Sequence, residues 1–220
     1  MGRRWESLSG VAGLAFVFVA LFLPGPPPKT DDTTAVLTAT LVDHRTAFVY
    51  GVLLAALGLI ALLWFFGVLG ARLASLERRT SPSAIAAVAG GLIGIALMFV
   101  GMLLFAGAAL RAVSMGNDAL VRSVVDTGNM LIETGKYGFA VLIAATCASP
   151  SASSFLTRGM TTTGLVAAAL LVLSTVPPFL TNHGIGQFGG GIDVVGGLPG
   201  FVWIIALSVV MARRPDLACA

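Results

Sequence analysis

Asp118, Arg122, Asp126, Asn129, Glu133 and Lys136 follow one another at steps of 4, 4, 3, 4 and 3 residues. On a helix turning about 100° per residue, these steps hold all six within an arc of about 80°. Charges of alternating sign at three- and four-residue spacing pair along a helix, here as Asp118–Arg122–Asp126 and Glu133–Lys136. Two readings of the stripe follow. It is the solvated face of an amphipathic helix at a membrane surface, or it faces a polar cavity or a partner chain. Glu133 and Lys136 favour the second, because an ionisable group below the lipid headgroups is costly unless it is paired or wetted. Snorkelling and a mutual ion pair suffice for the first.

A second cluster is Asp43-His44-Arg45. A histidine beside a carboxylate serves as a ligand or a proton relay, and also as an ordinary residue at a helix entry. A third group is His183 and Asp193, within a stretch holding Gly184, Gly186, Gly189, Gly190 and Gly191. Such a stretch allows close approach to a ligand, or forms a plain turn. No pair of histidines has zincin spacing, so no metal site is expected. The sequence has no Walker loop and no nucleophile elbow, and it names no cofactor. Its two cysteines, Cys147 and Cys219, form no redox or metal motif.

These residues must be positioned by an oily chain. Of 220 residues, 57% are apolar and 10% are charged, against about 25% charged in a soluble domain. The mean hydropathy is +0.96. This composition excludes a soluble enzyme domain, a secreted disulfide scaffold and a disordered chain. Net charge is +3, but the basic residues form no patch, so no nucleic-acid partner is expected. The lipid bilayer is the expected environment.

A hydrocarbon core of about 30 Å takes roughly 20 apolar residues per helix. The expected fold is therefore an all-α polytopic membrane bundle, a single transmembrane domain over 1–220. Its six spans fall near 8–24, 47–69, 84–110, 129–148, 160–180 and 192–212. The first resembles a signal peptide, but it runs into Pro24-Gly25-Pro26-Pro27-Pro28 without a small-residue cleavage site and is read as a retained span. The last is expected to kink near Gly196, Gly197 and Pro199. The fourth is clean only from Tyr137 to Ala148, so it must begin near residue 129 and draw Glu133 and Lys136 into the outer membrane.

Placing both termini inside puts eight Lys/Arg inside and five outside, as the positive-inside rule favours. The candidate residues then collect outside. Two amphipathic extracytoplasmic helices are expected there. One, capped by Asp31/Asp32, leads through Thr33–Arg45 into the second span. The other, capped by Asn117/Asp118, leads from Ala119 into the fourth. Gly90-x-x-x-Gly94 allows close helix packing, as a dimer face or as a chance product of a chain this rich in Gly and Ala.

Asp31–Arg45, then Leu76-Glu77-Arg78-Arg79, then Val124-Val125-Asp126-Thr127-Gly128-Asn129 before the fourth span resemble a family of small six-span integral membrane proteins without an assigned function from high-GC bacteria. The resemblance covers most of the chain. It implies the topology and a bacterial plasma membrane, and it supplies no catalytic residues.

Three function classes follow, in descending order. The first is a non-enzymatic subunit or binding module with a polar extracytoplasmic site for a partner protein, lipid or small ligand. The second is a small transporter or ion pathway working as a homo-oligomer. The third is an enzyme with an outer-leaflet site. The site residues expected are Asp43, His44, Arg45, Arg122, Asp126, Asn129, Glu133, Lys136, His183 and Asp193. A through path needs polar residues at every depth, and the inner halves of the second, third, fifth and sixth spans carry almost none. An enzyme needs a nucleophile–base or metal set, and the sequence offers none.

Overall fold

The computed structural model describes residues 2–25, 32–77, 81–115, 118–180 and 191–213. Every element among them is helical: α1 (Gly2–Phe22), α2 (Thr34–Asp43), α3 (Arg45–Glu77), α4 (Pro82–Met115), α5 (Asp118–Ala148), α6 (Ala152–Phe155), α7 (Arg158–Leu180) and α8 (Gly191–Arg213). Six are long and apolar enough to cross a membrane, namely α1, α3, α4, α5, α7 and α8. The protein is thus an all-α, multi-pass helix bundle.

The six long helices close into a ring in the order α1, α3, α4, α5, α7, α8 and back to α1. Between helices in lipid there is little hydrophobic drive, so close backbone approach and van der Waals contact hold the ring together. The tightest seam joins α4 to α5. A side-chain carbon added at Gly94 would lie 2.8 Å from the Gly135 carbonyl oxygen, and one at Gly101 would lie 2.7 Å from that of Gly128. Gly90 likewise meets Gly138. The Gly90-x-x-x-Gly94 motif is therefore spent inside the chain. A second seam joins α1 to α3, where Gly13 faces Gly58.

The main core fills one end of the ring. Leu14 and Val17 of α1 meet Phe65, Phe66 and Leu69 of α3, Leu142 and Ile143 of α5, and Ile204 and Leu207 of α8. That end also carries α6. At the opposite end α2 lies over α4 and α5, with Leu37 and Leu41 packed on Phe105, Val121 and Val125.

Several boundaries differ from the sequence expectation. The first outer helix is capped by Thr33, whose hydroxyl accepts from the Val36 amide at 3.4 Å. Asp32 precedes that cap, and Asp31 and Asn117 lie outside the described residues. The chain turns at His44 between α2 and α3, whereas α5 runs unbroken into its span. The second span continues to Glu77, eight residues past the expected end at 69. Arg72 is thus helical and buried, three residues past that expected end. It is tolerated because its guanidinium Nη1 donates to the Met211 carbonyl at 3.0 Å, near the end of α8 where helix carbonyls lack partners. Helix α8 runs through Pro199 and α7 through Pro177 and Pro178.

Candidate functional site

Helix α5 carries two chemically opposite faces. Gly128, Gly135 and Gly138 lie against α4. Asn129, Glu133 and Lys136 lie about 140° around the helix, at 100° per residue, and point away from that seam. Lys136 comes against α8, where a side-chain carbon added at Gly197 would lie 3.8 Å from the lysine Cε. Beside it, Phe139 and Phe201 stack edge to face at 5.7 Å. The small residue on α8 leaves room for the long lysine stem.

Glu133 is 2% exposed, Lys136 5% and Asn129 7%, so all three side chains are enclosed by protein. The Lys136 ammonium reaches both carboxylate oxygens of Glu133 at 2.8 Å. The pair sits at the middle of its helix, with 118–132 before Glu133 and 134–148 after it. At 1.5 Å per residue, each end of α5 is about 22 Å away. On the facing helix the pair is level with Gly197, near the start of α8. One turn nearer the α2 end, the Asn129 amide nitrogen Nδ2 is buried without a hydrogen-bond partner among the described residues. A buried donor left unpaired forfeits its hydration with nothing in return.

The rest of the stripe is less deep. Arg122 is half-buried and donates to the backbone carbonyl of Asp32, tying α5 to the start of α2. Asp126 is half-buried one turn further in. Asp43, His44 and Arg45 are exposed where α2 turns into α3, and no hydrogen bond or ion pair in the described structure joins them to the stripe. His183 lies outside the described residues, as does the side chain of Asp193, in the first turn of α8. Among the described residues, no group of three His, Cys, Asp or Glu could hold a metal ion.

A polar cluster absent from the sequence analysis lies at the α6 end. The Glu77 carboxylate oxygen Oε1 accepts from the hydroxyls of Ser149, Ser151 at 3.3 Å and Ser83 at 3.5 Å. Ser149 and Ser151 also bond each other at 2.7 Å. This cradle ties the end of α3 to the start of α4 and to the turn after α5. The signal available in sequence was only a serine-rich stretch, Ser149-Pro150-Ser151-Ala152-Ser153-Ser154.

No family model matches this chain, and neither a curated protein nor a solved structure matches it.

Proposed function

We propose that this protein is a non-enzymatic subunit or binding module of a bacterial plasma membrane, with both termini cytoplasmic. Its site is the Asn129–Glu133–Lys136 face of α5, reached from the outside past Arg122 and Asp126. One observation carries this reading: an enclosed ion pair at the centre of a spanning helix, with an unpartnered buried amide one turn outward. Apolar residues of the same size would pack there at no electrostatic cost, since a buried ion pair seldom stabilises a fold over well-packed hydrophobic side chains. A bundle that keeps such a pair has a use for it. The occupant is a partner membrane protein, a second copy of the chain, a lipid or a small ligand. Phe65, Phe66, Leu142, Ile143, Ile204 and Leu207 fill the bundle toward the α6 end, which favours a one-sided site over a through path.

The test is purification in mild detergent with native mass spectrometry of what co-elutes. Glu133→Gln and Lys136→Met are each expected to lose the bound species that the wild type retains. Variants that retain it would remove the site from this face, and ion flux in proteoliposomes would promote the transport reading. Orientation is tested with single cysteines at Thr33 and Ser153, in a background with Cys147 and Cys219 replaced by Ala. In intact cells, labelling from outside is expected at residue 33 only, and labelling at 153 would invert the topology.

A further inference from the structure

We infer that the cavity between α5, α6 and the start of α7 binds an anionic phospholipid with a polyol headgroup. Its phosphate lies on Arg158, its headgroup hydroxyls on Thr161 and Thr162, and its acyl chains along the outer face of α7. This site is separate from the Asn129–Glu133–Lys136 face.

The cavity opens to the surface and holds about 650 Å³, within the range of small-molecule sites. Ala152 and Leu156 give it a buried apolar wall. Arg158 is the one charge among its described lining residues. Arg72 and Arg122 each donate to a backbone carbonyl. The Arg158 guanidinium, by contrast, has no hydrogen bond or ion pair among the described residues. Its planar fork of donors matches a pair of phosphate oxygens.

Thr161 and Thr162 set what accompanies the phosphate. Their hydroxyls donate to the carbonyls of Thr157 at 3.2 Å and Arg158 at 3.0 Å. Each proton is committed, and the oxygen lone pairs remain as acceptors. Acceptors take hydroxyl donors, which glycerol and inositol headgroups carry. An ethanolamine headgroup brings an ammonium instead, and no acid is among the described lining residues to compensate it. Glu77 reaches the lining through Ser149, with that carboxylate oxygen already committed to the serine cradle.

The position favours a lipid over free phosphate. The spanning stretch of α5 ends at Ala148 and that of α7 begins at Arg158, so the cavity lies at the edge of the apolar layer, where headgroups sit. From Arg158 one face of α7 continues through Thr162, Leu165, Ala169 and Leu173, within an arc of about 80°. All five residues are exposed, Leu165 at 48% and Leu173 at 63%. A cation at the head of an apolar track fits an amphiphile, and free phosphate leaves that track unused.

The experiment reads the lipids that the whole protein retains from nanodiscs of equimolar phosphatidylglycerol, phosphatidic acid and phosphatidylethanolamine, by native mass spectrometry. Thermal unfolding against inorganic phosphate is the second arm. Phosphatidylglycerol is expected to be retained at least about tenfold over either other lipid, the worth of one or two hydrogen bonds. Arg158→Gln is expected to lose that retention. Thr161→Val/Thr162→Val is expected to hold phosphatidylglycerol and phosphatidic acid equally. Ser153→Trp, at an exposed lining position, is expected to block the cavity, and it decides where another variant fails to fold. Wild-type retention of phosphatidic acid or phosphatidylethanolamine equal to that of phosphatidylglycerol overturns the inference. So does phosphatidylglycerol retention unchanged in Arg158→Gln or Ser153→Trp, or a preference unchanged in the threonine variant. Stabilisation by inorganic phosphate without lipid retention also overturns it, as does silence in both arms. The α5 face is read separately in Glu133→Gln and Lys136→Met, so either site can fail without the other.

Discussion

Two carboxylates of this bundle are held in opposite ways. Glu77 lies at the end of its helix and accepts from the hydroxyls of Ser83, Ser149 and Ser151, contributed by two different stretches of chain. Glu133 lies at the middle of its helix and is held by a single cation three residues away on the same helix. The first arrangement joins elements: its partners lie 6, 72 and 74 residues away, so it fixes how two turns meet. The Glu133–Lys136 contact itself lies within one helix. An enclosed ion pair between two residues of one helix does not fix how elements meet, and well-packed apolar side chains would serve the fold as well. That contrast separates the staple from the proposed site.

Breaking the pair should give the largest effect. Lys136→Met strands the Glu133 carboxylate, and loss of one partner of a buried pair costs about 3–5 kcal/mol. The double variant Glu133→Met/Lys136→Met should recover most of that stability in thermal unfolding while remaining unable to bind. A double variant as unstable as the single one would make the pair structural and erase the contrast with Glu77.

Next comes the seam behind the pair. Gly94→Leu forces a side chain against the Gly135 carbonyl, and overpacking of this kind costs about 1–3 kcal/mol. The loss should appear in denaturation monitored by tryptophan fluorescence. An unchanged midpoint would mean that α4 and α5 do not approach as closely as described.

Glu77→Ala should cost about 1–2 kcal/mol, as the buried hydroxyls of Ser149 and Ser151 lose an acceptor. Its effect should add to that of the pair variants, since the sites share no partner. Binding should be untouched, and loss of binding would make the cradle part of the site. The smallest effect is expected at the exposed turn. His44→Ala and Arg45→Gln should leave both stability and binding within about 0.5 kcal/mol of wild type. A larger change in binding would return Asp43, His44 and Arg45 to the site.

The six spans were legible because length and apolar composition are a nearly sufficient signal in lipid. The stripe on α5 was legible from its spacing. The direction in which it points was not, since periodicity defines a face without naming the neighbour. Here Gly128, Gly135 and Gly138 set that direction: only a glycine face can lie flush on α4, and the charged face then turns to α7 and α8. The serine cradle was illegible because its members meet across more than 70 residues. The end of α3 was misplaced because Arg72 reads as a loop residue until the Met211 carbonyl it bonds is known. The expected cap at Asp31/Asp32 gave way to Thr33, a difference of one or two residues among three good capping types.

The two-faced character of α5 has a consequence for the order in which the chain is made. When α5 leaves the ribosome its glycine face can dock at once, because α4 has already been synthesised. Its charged face must wait. Gly197, the neighbour of Lys136, belongs to α8, the last helix of the ring. A nascent chain that ends before residue 197 therefore lacks the helix that covers Lys136. Completion of α8 covers it. Premature termination or misinsertion of that helix leaves a charged spanning segment exposed, the kind of signal by which membrane quality control distinguishes an unfinished protein from a finished one. The last helix made is in this sense the seal on the fourth span.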